Sequence, residues 1–413
     1  MGHDGDGVGG NAATIGAREL GNVVCGGAGS VSEARIVSYA SSPYEKEPEH
    51  ELLWHLWTAA QRCLERAGIE KRDVNGLALT SFSYPPGNVV TLAEHFGMRL
   101  TWGEQGVFGG ASGVVTVGRA VDAIRAGRAR CVLCLAGDVF TVASHDSMLD
   151  SFTPAMGDYL APHGFGGANG LFALVEQRHR ALYGTTREQL GRVAVTQREH
   201  ALLNPGALFQ TPLTLEDYLA ARPIAEPLRL FDCVMPCSGA EAVLVVHEDL
   251  AAATRRPPLE LRAMREAHNA HPELLMSLPG GFEQYANELF ADARLGRGDL
   301  DFVQLYDDYP IMVAVQLECS GFCEEGTSGA YLEATDLSIH GDLPLNTGGG
   351  QLSCGQSGAG GGMIGVVEAV QQLQHEAGAR QVADARCGLV SGFGLVSYGK
   401  GLCTAGAILA RAD

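Results

Sequence analysis

Three stretches of this chain carry residues able to do chemistry. "VFGGASGVV", residues 107–115, places a glycine-rich loop at the head of a helix. It offers one serine, Ser112, no cysteine, and the free backbone N–H groups of a helix start. Ser112 can cap those N–H groups or touch a ligand. "DFVQLYDDY", residues 301–309, ends an apolar strand on Tyr306, where a rigid element meets a loop. A tyrosine there can move a proton, but it is a useful base only if its pKa falls below the usual ~10. Asp307 would raise that pKa if close, yet successive strand side chains face opposite ways. "GFGLVSYGKGLCTAG", residues 392–406, brings Gly394, Tyr398 and Cys403 onto one C-terminal loop, taken as 392–403.

Metal chemistry is not expected. Cys131-x-x-Cys134 lies in "RARCVLCLAGD", a buried-strand pattern, and Cys233-x3-Cys237 and Cys319-x3-Cys323 lack a second pair at zinc-ribbon spacing. The thirteen histidines show no His-x3-His spacing. The eleven cysteines read as reduced thiols. His163, in "YLAPHGFGG", falls on a turn-rich segment that could form the lip of a substrate tunnel, or lie on the surface.

These residues need a scaffold. The chain has 413 residues, 46% of them hydrophobic, and 55 glycines. That length implies two domains or two fused halves. A net charge of −19 argues against nucleic acid or an anionic membrane as partner. No apolar run reaches the roughly 20 residues of a membrane span, and the first residues lack a secretory pattern, so a cytoplasmic protein is expected. Residues 1–31 read as a Gly-rich flexible tail.

The chain also echoes itself. "GGASGVVTVGRAVDAIRAGRARCVLCLAGD" (109–138) and "GAGGGMIGVVEAVQQLQHEAGARQVADARCGLVSGFG" (358–394) share the order glycine loop, helix, strand. Both strands open on Ala-Arg-Cys, at Ala129–Cys131 and Ala385–Cys387. Helix 52–66 followed by "AGIEKRDVNGLALTSF" matches helix 284–294 followed by "LGRGDLDFVQLYDDY". Such self-similarity signals duplication. Alternating strands and helices predict a largely parallel sheet in each half and a layered α/β/α/β/α body. The halves are placed at 32–252 and 258–413, joined by "ATRRPPLE", with an inserted loop or cap domain at about 138–225.

From residue 32 onward the chain resembles the thiolase superfamily, in its sterol-carrier-protein-type branch. The resemblance rests on the duplicated halves and on "GTTREQLGRVAVTQREHALLNPGALF", "IAEPLRLFDCVMPCSGAEAV", "VQLYDDYP" and "LNTGGGQLSCGQSGAGGG". It implies a duplicated five-layer αβαβα fold. The catalytic residues depart from the family. Thiolases carry a nucleophilic cysteine in Cys-x-Ser-Gly; this chain has Gly110-Ala111-Ser112-Gly113, so covalent acyl transfer through position 110 is impossible. Where the branch has His-Asp-x-Phe, this chain has Tyr306-Asp307-Asp308-Tyr309; for Gly-His-Pro it has Gly355-Gln356-Ser357.

That pattern resembles the thiolase-fold aldolases that shorten steroid side chains, which have a tyrosine at the position of Tyr306. The resemblance implies retro-aldol cleavage of a β-hydroxyacyl-CoA thioester, with CoA thioester as substrate and no bound cofactor. The glycine loop at Gly110 would hold the enolate oxygen, Tyr306 would transfer a proton, and Gln356 would orient the thioester. Cys403 or Tyr398 would protonate the leaving carbanion. Ser112, His163, Asp307 and Gly394 would touch substrate. A homodimer is implied, with a small OB-fold and zinc-ribbon partner completing a heterotetramer. Two other readings stand: an acyltransferase of the acetyl-CoA acetyltransferase type, and a non-catalytic subunit.

Overall fold

The computed structural model describes residues 33–149, 153–164, 167–276, 278 and 280–412. The tail expected over 1–31 lies outside the described residues. Among the described residues there are eleven strands: β1 (Ala34–Ser41), β2 (Gly76–Thr80), β3 (Trp102–Gln105), β4 (Cys131–Asp138), β5 (Pro223–Ala225), β6 (Leu228–Arg229), β7 (Gly239–His247), β8 (Leu259–His268), β9 (Phe302–Gln304), β10 (Cys387–Ser397) and β11 (Lys400–Arg411). β5 and β6 make a small ribbon; the other nine form one sheet in the order β3-β2-β4-β7-β1-β8-β11-β10-β9.

That order is a mirrored pair. In the first run β2 lies parallel to β4, and β7 runs antiparallel to both β4 and β1. In the second, β9 lies parallel to β10, and β11 runs antiparallel to both β10 and β8. The runs meet where Ile36 of β1 pairs with Leu259 of β8. The sheet is therefore mixed, not largely parallel as the alternation of elements predicts. A parallel pair needs a crossover of a dozen or more residues, whereas β10 and β11 are separated only by Tyr398 and Gly399. The segment expected as a loop at 392–403 is accordingly a β-hairpin.

Both runs cover one pair of central helices, Ser112–Arg125 and Gly361–Leu373. These are apolar on nearly every side, as a helix between two sheets must be. Val114, Val117, Val121, Val366 and Val370 share one core with Val132, Val243, Val390 and Ala405 from the two runs. Outside the first run lies the helix Leu52–Ala67, whose apolar stripe buries Leu56, Ala59, Ala60, Cys63 and Leu64; Gly68 ends it at φ 74°. Outside the second run lie Ala286–Ala293 and Pro310–Cys319. The result is the five-layer α/β arrangement. β4 shows how it is read along the chain: Cys131, Leu133 and Leu135 face the outer core, while Val132, Cys134 and Ala136 face the inner one. Cys131 and Cys134 thus sit on opposite faces and cannot close on one ion.

The central helices touch backbone to backbone. A Cβ on Gly113 would overlap the carbonyl group of Gly362, and one on Gly362 would overlap that of Gly110. Between β4 and β7 the chain forms the helices Val142–Leu149, Gly167–Tyr183, Arg187–Leu202 and Leu215–Ala220. The third starts at a capping box, in which Gln189 N–H donates to Thr186 Oγ1 (3.3 Å) and Thr186 N–H donates to Gln189 Oε1 (2.9 Å). Among the described residues no helix is long and apolar enough to cross a membrane.

Candidate active site

A cavity of about 420 Å³ opens where the glycine loop, the end of β9, the 354–358 turn and β10 converge under the inserted helices. That is within the ~300–1,000 Å³ of small-molecule sites. Its lining is mainly apolar: Phe82, Met148, Met156, Leu171, Phe172 and Phe393 make much of it. Its polar lining includes Tyr306, Asp308, Tyr309, Gln356, His145 and Arg198.

Tyr306 is fixed by its backbone. Its N–H donates to Ser391 Oγ (3.0 Å), and its carbonyl accepts from Gln316 Nε2 (2.6 Å). Ser391 Oγ in turn donates to Gln316 Oε1 (2.5 Å). The ring lies against Gly110: a Cβ at that position would overlap Cε2, Cζ and Oη of Tyr306. Burial holds the phenol well above the usual tyrosine pKa, and nearby Asp308 adds to this; hydrogen bonds with Gln356 and Gln351 oppose it. The lowered pKa that a resting base needs is therefore absent. Tyr306 rests as a neutral phenol, equipped to donate a proton.

The loop around Gly110 is closed by its own bonds. Phe108 N–H donates to Ser112 Oγ (2.9 Å), and Ala111 N–H donates to the Phe108 carbonyl (3.2 Å). Ser112 is thus the capping hydroxyl, fully buried and outside the cavity wall. Gly109 and Gly110 are the loop residues that reach the cavity. Gly109 has φ 57°, a conformation that suits glycine. Gly394 lines the cavity from β10, so close that a Cβ there would overlap the Phe108 carbonyl oxygen.

Gln356 is held by the segment before β7. Its N–H donates to the Met235 carbonyl (2.8 Å), and its carbonyl accepts from Cys237 N–H (3.0 Å). Its side chain bonds both Tyr306 and His145. Burial lowers the His145 pKa to about 4 against the raising effect of that bond, so the imidazole is neutral at pH 7. Beneath the turn, Asp138 joins the two halves of the site. Its Oδ1 accepts from Ser81 Oγ (2.7 Å), Phe82 N–H (2.8 Å) and Ser83 N–H (2.7 Å), while its Oδ2 accepts from Ala359 N–H (2.8 Å).

Of the residues expected from sequence, the cavity brings together Gly110, Tyr306, Gln356 and Gly394. The others lie elsewhere. Asp307 turns away from the cavity and accepts from Gln351 N–H (3.0 Å) and Leu352 N–H (3.2 Å), capping the short helix Gly350–Cys354. Cys403 pairs across the hairpin with Gly394 but buries its thiol in the inner core, where desolvation lifts its pKa to about 12. Tyr398 is at the hairpin tip with φ 52°, outside the wall. His163 is exposed on a short turn and also outside it. Sequence reasoning missed His145, Asp308, Tyr309 and Arg198. The first and last come from the inserted helices, where no catalytic pattern marks either residue, although Arg198 lies in one of the stretches that carry the family resemblance. For Asp308 and Tyr309 a signal existed, since alternation from Tyr306 puts Asp308 on the same face. Tyr309 stacks on Phe172 at 4.2 Å and donates to Asn169 Oδ1 (2.7 Å). A metal would find three ligand atoms within 4.8 Å of one another at Glu45, Glu49 and His50, away from the cavity wall.

Comparison with known proteins shows the chain's relatives. Residues 265–403 match the family model described as thiolase C-terminal domain-like. A steroid side-chain-cleaving aldolase of Thermomonospora curvata is 30% identical over 392 residues, 91% of this chain and 97% of that protein. The 17-hydroxy-3-oxo-4-pregnene-20-carboxyl-CoA lyase of Mycobacterium tuberculosis is 30% identical, over 83% of this chain and 92% of that protein. Among solved structures, an Ltp2-ChsH2(DUF35) aldolase superposes with a TM-score of 0.81 at 28% identity, covering 92% of this chain and 98% of that one.

Proposed function

The chain belongs to the thiolase superfamily, alongside its steroid side-chain-cleaving aldolases, and on that premise we propose that it cleaves a β-hydroxyacyl-CoA thioester by a retro-aldol reaction. It is a carbon–carbon lyase that acts on an acyl-CoA. The products are a carbonyl compound and a shorter acyl-CoA. The observation that carries this reading is the Tyr306 phenol in the volume a nucleophile at position 110 would need. An acyltransferase working through an acyl-cysteine has no room there. Retro-aldol cleavage needs none: it requires a base for the β-hydroxyl, donors for the enolate oxygen and an acid for the α-carbon.

In this assignment Tyr306 is the acid. Gln356 orients the thioester oxygen, and Gly110 leaves the space in which substrate and phenol meet. The apolar wall, built largely by the inserted segment, takes the ring system of a steroid-type acyl group. The boundaries 32–252 and 258–413, with an insert near 138–225, remain our division of the chain, supported by the mirrored strand order. We further assign a cytoplasmic homodimer and a small OB-fold, zinc-ribbon partner. The partner reading is supported by the two-component aldolase among the structural neighbours.

The test is direct. The protein, with and without such a partner, is incubated with 17-hydroxy-3-oxo-4-pregnene-20-carboxyl-CoA, and the products are followed by mass spectrometry. Release of a steroid ketone with a shorter acyl-CoA is expected. Turnover of a 3-ketoacyl-CoA with free CoA, and no ketone release, would overturn the reading.

A further inference from the structure

We propose that Asp308 is the catalytic base, its carboxylate taking the β-hydroxyl proton of the substrate. This rests on the aldolase reading above and supplies the group that reading lacks. Two observations place it. Asp308 and Tyr306 both line the cavity, two residues apart, while Asp307 between them is turned back onto the helix Gly350–Cys354. Asp308 is only 7% exposed, yet its Oδ1 has no hydrogen-bond partner among the described residues. A buried carboxyl oxygen without a partner is costly. A substrate hydroxyl would supply the missing contact. Asp308 is also the one carboxylate among the described residues of this wall.

The alternatives in the wall are weaker. His145 is engaged with Gln356 and has a pKa lowered to about 4, so it is a poor proton acceptor. Tyr306 rests protonated. Asp308 also has a raised pKa: burial lifts it well above the carboxylate range, Asp307 adds to this, and the backbone N–H groups of Tyr309 and Asp308 oppose it, so it serves as base in its ionised fraction, which grows as pH rises. Its ionised form is therefore a strong base. Tyr306 and Tyr309 flank it and Cys233 shares the wall; the cations of the wall are Arg198 and Arg222.

The step balances without a further reactant. The β-hydroxyl O–H bond breaks, and its proton goes to Asp308. The oxygen's electron pair forms the product carbonyl as the Cα–Cβ bond breaks. That bond's pair moves into the thioester as an enolate. Cα then takes the phenol proton of Tyr306, and the phenolate recovers a proton from the Asp308 carboxyl. Substrate loses one proton and regains one.

The test compares wild type with Asp308→Asn and Asp308→Glu, using 17-hydroxy-3-oxo-4-pregnene-20-carboxyl-CoA. Wild-type rate should rise with pH along an acid limb above the usual carboxylate range. Asp308→Asn should lose turnover by a factor on the order of 10²–10⁴ and lose that limb, with KM little changed. Asp308→Glu should recover part of the rate. Retained melting temperature and retained binding of the same thioester show that the Asn variant is folded. An active wild type whose Asn variant keeps both rate and acid limb overturns this role alone. A wild type that cleaves nothing, with or without partner, overturns the aldolase reading and this role with it.

Discussion

The phenol of Tyr306 and the α-carbon of Gly110 are in such close approach that no side chain fits between them. The two halves of the chain thereby decide one another's chemistry. The glycine loop comes from the first half and the tyrosine from the second. Tyr306→Phe keeps the packing and removes the hydroxyl. Turnover should fall on the order of 10²–10⁴-fold with an unchanged melting temperature. Steady-state kinetics on the purified variant, beside circular dichroism, check this; near-normal turnover would move the proton-transfer role elsewhere.

Gly110→Cys restores the thiol of a thiolase but should not restore its reaction. The helix start favours a thiolate, yet no histidine replaces Gln356 to serve the thiol or CoA. The added atoms must displace the Tyr306 ring, an overpacking that costs about 1–3 kcal/mol. Aldol cleavage should drop, and intact mass should show no acyl adduct that turns over with CoA. A stable adduct with CoA-dependent turnover would mean the older machinery survives.

His145 should make the protein acid-sensitive. Its folded pKa of about 4 lies below the 6.5 of an unfolded chain. Between those values the unfolded state binds more protons at this site, so the His145 contribution to stability falls as pH drops from 6.5 toward 4, by at most about 1.4 kcal/mol per unit. His145→Gln should flatten that part of the profile. Urea unfolding of both proteins at pH 7, 6, 5 and 4 measures it; parallel curves would remove His145 as the cause.

Asp138→Asn should loosen the site from below. An amide nitrogen placed at Oδ2 would face the Ala359 N–H, donor to donor, and leave a buried bond unmade. The cost is about 1–3 kcal/mol, read as a lower melting temperature. Turnover should fall as well, because the bond ties Ala359 to the Phe82 wall. A stable variant with reduced turnover, or an unstable one with full turnover, would separate the two roles of the bridge.

Much of this was legible in the sequence. The glycine loops, the two central helices and β4 announce themselves through local composition. So did the loss of the nucleophile at 110 and the strand-end tyrosine. What was not legible depends on distant partners. The direction of β7 and β11 is fixed by sheet pairing, and apolar content is the same either way. Cys403 was a candidate because its segment read as a loop; that segment is a hairpin whose register sends the thiol inward. His145 has no pattern around it and reaches the cavity only because the inserted helices fold back over the site. Asp308 was one step of strand alternation from Tyr306, hidden by the more familiar Asp307.

The contact between Gly113 and Gly362 has a consequence for how such an enzyme can diversify. Two backbones without side chains between them form a rigid floor with no slack to tune. A change there should move both glycine loops together. The roof is different: it is made of helices that join β4 to β7 and carry Met148, Met156, Leu171 and Phe172. New substrates should therefore be reached by redrawing the roof while the floor stays fixed. Libraries restricted to those four positions ought to yield altered acyl preference at far higher frequency than libraries of equal size in the glycine loops.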